Sequence, residues 1–265
     1  MPLILHLTDM HLHADAAGRL KGIPTLASFR AVKSLAWRRH PAPDALILGG
    51  DLAQDELGPT YRLLADDITG WCEAVRVTPG NHCNLPVLER TLLPALDMPP
   101  MRASELRLEN WLVIPLNSHD PDASPGGRLG GDELARLARL LAETDADHAL
   151  IALHHHPAPI GSPWMDAMML EDADAFWRAI EASGKARAVL FGHVHQELDT
   201  MRGDVRLLGT PSTCVQFRPQ TETFALDEAS PGYRWLRLAP DGGIETGVER
   251  VEGFLPPDPD DTSFY

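Results

Sequence analysis

The chain has 265 residues, is 44% hydrophobic, which is ample for a real core, and carries a formal net charge of -15 at pH 7. A field of that sign repels nucleic acid, anionic membrane and anionic substrates, so phosphate chemistry here requires a local reversal of charge, which bound cations provide. The unpaired spacing of Cys72, Cys83 and Cys214, the absence of a signal-peptide pattern in MPLILHLTDMHLH and the absence of an 18-residue apolar run predict a cytoplasmic protein without disulfides or a membrane span.

Leu3–Leu7 is a short apolar run that stops at Thr8-Asp9, which predicts a buried strand. Residues 23–39 read as helix, closed by His40-Pro41. Ala45–Leu48 is a second strand, ended by Gly49-Gly50-Asp51. Residues 57–71 have helical periodicity. Residues 74–77 form a third strand, ended by Thr78-Pro79-Gly80-Asn81-His82. This β-α-β-α-β rhythm predicts an α/β fold, a sheet covered by helices whose ligands bind beyond the carboxyl ends of the strands.

Residues 106–116 fit a hairpin with Asn110 in its turn, and residues 118–128 a loop rich in Pro, Gly, Ser and Asp. Gly130–Glu143 is an amphipathic helix. Residues 149–153 are a strand running into His154-His155-His156-Pro157. Residues 172–183 are helical, with Gly184 at the C-cap, and residues 187–191 are a strand ended by Gly192-His193-Val194-His195. Residues 198–201 and 205–208 flank a tight turn. Further short segments at 223–226, 233–238 and 244–251 predict an antiparallel sheet. Residues 1–255 read as one continuous domain and residues 256–265 as a flexible tail that frays or lies on the surface.

Seven of the twelve histidines fall in the motifs at these strand ends, beside Asp9, Asp51 and Asn81. Nitrogen and oxygen donors without a thiolate cluster suit Mn or Fe first, with Zn admitted. Asp9 and His11, two apart in an extended segment, point the same way and can grip one cation. Asp51, behind two glycines, can bridge two cations about 3.5–4 Å apart. Asn81 offers a weak neutral ligand where charge is already high. His82 need not ligate and is placed to donate a proton to a leaving group. His193 and His195 repeat the two-apart geometry, and one or two of His154, His155 and His156 are expected to ligate. Each motif alone reads as a turn, strand cap or polar loop; five together at successive strand ends do not.

Asp9-x-His11, Gly50-Asp51, Gly80-Asn81-His82, His155-x-Pro157 and Gly192-His193-x-His195 resemble, in order and spacing, the signature of the calcineurin-like metallophosphoesterases over about residues 1–215. Within that superfamily, His154 to Pro157, Gly161-x-x-Trp164-Met165-Asp166, Leu116 to His119 and Gly209 to Ser212 look like the bacterial class III cyclic nucleotide phosphodiesterases and glycerophosphodiesterases. The resemblance implies a four-layer αββα sandwich with two facing mixed sheets. It implies one metal held by Asp9, His11, Asp51 and His195, and a second by Asp51, Asn81, His155 and His193. His82 would contact the phosphate and assist the leaving group. Cys83 departs from the pattern, standing where the family has an acidic residue that supports the histidine.

The expected activity is metal-dependent hydrolysis of a small phosphodiester, a cyclic nucleotide first, by in-line attack of a hydroxide held between the ions. Monoesters, nucleotide anhydrides or lipid-linked esters are the rival substrates. A non-catalytic metal-bound interaction protein is the rival from another class. Met165 to Leu170 reads as a packed helix start or an apolar pocket wall. The C-terminal strands leave a homo-oligomer open without demanding one.

Overall fold

The structure, a computed structural model, describes residues 1–263. The chain begins with β1 (Leu3–Leu7), a short ladder of β2 (Arg19–Leu20) and β3 (Ile23–Pro24), and then α1 (Thr25–Arg39). It continues through β4 (Ala45–Leu48), α2 (Gly58–Ile68), β5 (Val75–Val77) and α3 (Leu85–Ala95). Asn84 starts α3 by accepting a bond from Val87 N at 3.2 Å, and Pro86 sits in the first turn, where its missing N–H is not needed. The second half holds β6 (Leu106–Leu108), β7 (Trp111–Pro115), α4 (Gly130–Glu143), β8 (His148–Leu153), α5 (Pro163–Asp166), α6 (Ala173–Ser183) and β9 (Ala186–Phe191). Then come β10 (Leu198–Arg202), β11 (Val205–Gly209), the small ladder of β12 (Gln216–Phe217) and β13 (Leu226–Asp227), β14 (Gly232–Leu238) and β15 (Ile244–Arg250).

Two mixed sheets result. One has the order β15-β14-β1-β4-β5, the other β10-β11-β9-β8-β7-β6. The inner strands β1 and β4, and β11, β9, β8 and β7, pair in parallel; antiparallel strands finish every edge except that of β5, which pairs parallel to β4. Strands covered on both faces are almost wholly apolar, as LILHL, ALIL and HALIAL are apart from His6 and His148. Side-chain alternation sorts them into layers. Ile4, Ile47, Leu150, Ala152, Leu190 and Leu236 meet between the sheets. Leu5, Leu7, Leu46 and Leu48 pack outward against Phe29 of α1, Leu64 of α2 and Leu88 of α3. Ile151 and Leu153 pack the other way, against Leu137 of α4 and Phe176 of α6. The chain is thus a four-layer αββα sandwich.

Several details differ from the sequence-based expectations. The C-terminal strands do not form one antiparallel sheet: β10 and β11 finish the second sheet, while β14 and β15 finish the first. Local alternation marks a strand, but the choice of partner is tertiary. The helix α3 was not expected at all. In the β6–β7 turn, Glu109 rather than Asn110 takes the positive φ, at 53°. Asn110 instead accepts backbone bonds from Asp147 and His148. Residues 256–263 lie on the surface without helix or strand, with Pro256 buried. They are tied down by Lys21, whose ammonium reaches Asp261 Oδ2 at 3.1 Å and Ser263 Oγ at 2.8 Å. Phe264 and Tyr265, the end of the expected tail, lie outside the described residues. No helix among the described residues is long and apolar enough to cross a membrane.

Candidate metal centre

The strand ends of both sheets open on one seam. The turns after β1, β4 and β5 bring Asp9, His11, Asp51, Asn81 and His82, and those after β8 and β9 bring His155, His193 and His195. Five of these residues have left-handed backbones: Asp9 (φ 54°), His11 (46°), Asp51 (47°), His193 (67°) and His195 (49°). Such φ values turn the chain sharply, so Asp9 and His11 stand in turns and not in the extended segment expected, and the residues between the donors, Met10 and Val194, pack into the cores.

The donors fall into overlapping groups whose ligand atoms lie within 4.8 Å of one another. Asp9, His11 and His195 form one, and His154, His155 and His193 another. Asp51 belongs to two more, with His11 and His82 and with Asp9 and His154. Nε2 of His195 is 3.2 Å from Asp9 Oδ1, and Nε2 of His11 is 3.8 Å from Asp51 Oδ2. All the predicted site residues therefore meet in one place. Asn81 lines the same cleft with a buried Oδ1 that has no hydrogen-bond partner among the described residues.

The other ring nitrogens are held from behind, which fixes each donor edge. His11 Nδ1 is 2.6 Å from Gln54 Oε1, His155 Nδ1 is 2.8 Å from Ser118 Oγ, and His195 Nδ1 is 2.8 Å from the Val215 carbonyl. His193 reverses the pattern, its Nε2 lying 3.2 Å from the Met168 carbonyl, so its Nδ1 is the edge left for the seam. Thr8 donates to Asp9 Oδ2 at 2.6 Å, and the His82 N–H donates to Asp51 Oδ1 at 2.8 Å. Gln54 and Thr8 carry no motif signal of their own, and Ser118, inside the Leu116 to His119 motif, takes no role from the sequence.

The electrostatics suit cations. Burial drives His11 down to about 3 despite the Asp51 carboxylate, so its lone pair is available. Burial, and then neighbouring histidines, hold His155 and His193 well below the ordinary imidazole value. Burial pushes Asp9 and Asp51 toward the neutral acid, but His195 beside Asp9 and His154 beside Asp51 outweigh it and keep both carboxylates ionised. Buried carboxylates facing the imidazoles of His11, His155 and His193, which burial holds neutral, with the orphaned atoms Asn81 Oδ1 and His155 Nε2, form a donor set that fits metal ions.

Two positions stand apart from these groups. Cys83 is buried and joins none of the donor groups among the described residues. Burial, and then the Asp51 carboxylate, push its thiol up to about 12. His156 also joins none of the groups; its Nε2 is 3.7 Å from Asp166 Oδ1 and its ring stacks on His193.

A cleft of about 410 Å³ opens on the donors, its lining joining the polar Asp51, Asn81, His82 and His193 with the apolar Trp164, Met168 and Phe217. Of the Met165 to Leu170 stretch, Met165 and Met168 line this cleft beside Trp164, and Met165 is also packed in the core.

The family model for calcineurin-like phosphoesterases matches residues 2–197. The chain belongs to the calcineurin-like phosphoesterase family. As such it is a metal-dependent phosphoesterase of a family whose centres are dinuclear. It is 39% identical over 255 residues to a 3',5'-cyclic adenosine monophosphate phosphodiesterase of Vibrio vulnificus, covering 96% of this chain and 92% of that one. It is 37% identical to a 3',5'-cyclic-nucleotide phosphodiesterase of a Nostoc species, covering 99% and 97%. A dimetal phosphatase from Danio rerio shares the calcineurin-like fold with a TM-score of 0.60 at 14% identity, covering 95% of this chain and 97% of that one.

Proposed function

We propose that this phosphoesterase hydrolyses a 3',5'-cyclic nucleotide, with residues 1–255 as one working unit because both sheets supply donors. The observation that carries the reading is the continuity of the donor groups with a cleft whose lining also includes the apolar Trp164, Met168 and Phe217. A cyclic nucleotide has that polarity: a diester at one end and a flat base at the other. Trp164, half-buried, brings an aromatic ring to the lining, and Phe217 behind it is buried and stacked on His195 with centroids 4.1 Å apart. The names of the two relatives support the same substrate class.

In this reading Asp9, His11, Asp51 and His195 hold one ion, and Asp51, Asn81, His155 and His193 hold the other. Two bound transition-metal ions, Mn or Fe first, supply an activated water and offset charge on the phosphate oxygens. Asp51 fixes the spacing of the two positions. His82 contacts the phosphate and gives a proton to the departing ribose oxygen. No serine, threonine or cysteine nucleophile is required, and Cys83, buried as a neutral thiol, takes no part.

The test is elemental analysis joined to a substrate panel. Close to two transition-metal ions per chain are expected, with kcat/KM higher for cyclic nucleotides than for monoesters, anhydrides or lipid-linked esters. Simple monoesters winning that comparison would reassign the substrate. A metal-loaded protein inert on the whole panel would make it a binding protein.

A further inference from the structure

His154 has no role in the scheme above, yet its ring is fully buried at the centre of the site. Alternation along β8 explains how it arrives there. Leu150 and Ala152 point between the sheets, and His154 continues the same set past the strand end. Its Nδ1 lies 2.6 Å from the Gly49 carbonyl oxygen. A carbonyl only accepts, so Nδ1 carries the proton and donates. The opposite edge, Nε2, is 3.4 Å from Asp51 Oδ2 and 3.9 Å from Asp9 Oδ1, and has no hydrogen-bond partner among the described residues.

Two motif glycines clear the space for this ring. A Cβ on Gly50 would come within 2.3 Å of His154 Nδ1, and one on Gly80 within 2.6 Å of Nε2. Gly50 also takes a φ of 97°, which side-chain-bearing residues rarely adopt. The imidazole is therefore wedged between the turn that carries Asp51 and the turn that carries Asn81, with one edge fixed to backbone and the other facing Asp51.

We propose that His154 is a positioning residue that holds the Asp51 carboxylate where it can serve two ions. The proposal rests on the two-ion reading of Asp51. Removal of a residue that orients a ligand weakens metal binding by about 10–100-fold.

The experiment uses the full chain with Mn(II) as probe, in wild type, His154→Leu, His154→Gln and His154→Asn. Metal titration and the spin-coupled electron paramagnetic resonance signal of the Mn pair are read beside kcat and KM. The Leu variant is expected to bind two ions about 10–100-fold more weakly, with an altered coupled signal and a fall in kcat rather than a rise in KM. Gln, whose amide reaches the place of Nε2, is expected to restore most of the affinity. Asn keeps the bond to Gly49 but stops short of Asp51, and is expected to fail; this pair carries the test if Leu does not fold. Wild-type affinity and signal in the Leu variant, or equal recovery by Asn and Gln, would overturn the proposal. An ion that saturating Mn cannot restore would make His154 a ligand instead, and overturn it too. Fewer than two ions in the wild type would overturn this proposal and the two-ion reading together, whereas with two ions in the wild type the variants bear on His154 alone.

Discussion

Asp51 stands where the donor groups overlap, sharing one with His11 and another with Asp9. Every other proposed ligand serves one ion. Asp51→Asn is therefore expected to be worse than His11→Ala when both are assayed under saturating Mn, because loss of the shared charge disturbs both positions. More activity in Asp51→Asn than in His11→Ala would show that Asp51 is not the bridge. His82 poses a different question, since its backbone N–H is bound to Asp51 Oδ1 and its ring lines the cleft. A general acid contributes about 10²–10⁴-fold where the leaving group needs a proton. His82→Ala is expected to keep two metals, to lose much of its rate on a cyclic nucleotide and to lose less on a nitrophenyl diester. Equal losses on both would point to phosphate positioning. The seven proposed ligands and His82 could all be read from the sequence, because each stands just past an apolar strand. His154 could not be given a role there, since its direction depends on the strand boundary and on two glycines more than 70 residues away in the chain.

At the scale of elements, the strands that position the site were legible for a simple reason. Strands covered on both faces are almost wholly apolar and end on an apolar residue, and Thr8, Gly49 or His154 then breaks the run abruptly. The helix α3 was not legible, because Cys83, Asn84 and Pro86 look like loop until the side-chain cap is seen. That cap joins the Gly80-Asn81-His82 turn to α3. Asn84→Ala is expected to lower unfolding free energy by about 1 kcal/mol in denaturant titration. An unchanged midpoint would mean that packing of Leu88 and Leu92 alone fixes the helix start. The division of the last strands between two sheets was also hidden. A β-hairpin carries its own pairing in its turn, but nothing local says which edge it will join.

For the whole molecule, the seam between the sheets concentrates anionic and desolvated groups inside a chain that is already strongly acidic. Cations bound there favour the folded state by mass action, by about 2.7 kcal/mol at a hundredfold excess over Kd. Chelation is expected to lower the melting temperature, and added Mn to restore it, in calorimetry at fixed protein concentration. A melting temperature indifferent to chelator would argue against tight, native-state metal binding.

Five of the seven proposed ligands also hold backbones that favour glycine or asparagine. Each such backbone carries a penalty of about 1 kcal/mol for a residue with a side chain. Selection for thermal robustness alone would thus drift toward glycine at Asp9, His11, Asp51, His193 and His195. A directed-evolution library screened only for heat resistance would enrich sturdy but silent proteins, with the lost activity concentrated at these five turns. The catalytic seam is in this sense a frustrated patch, kept by what it does rather than by how well it folds.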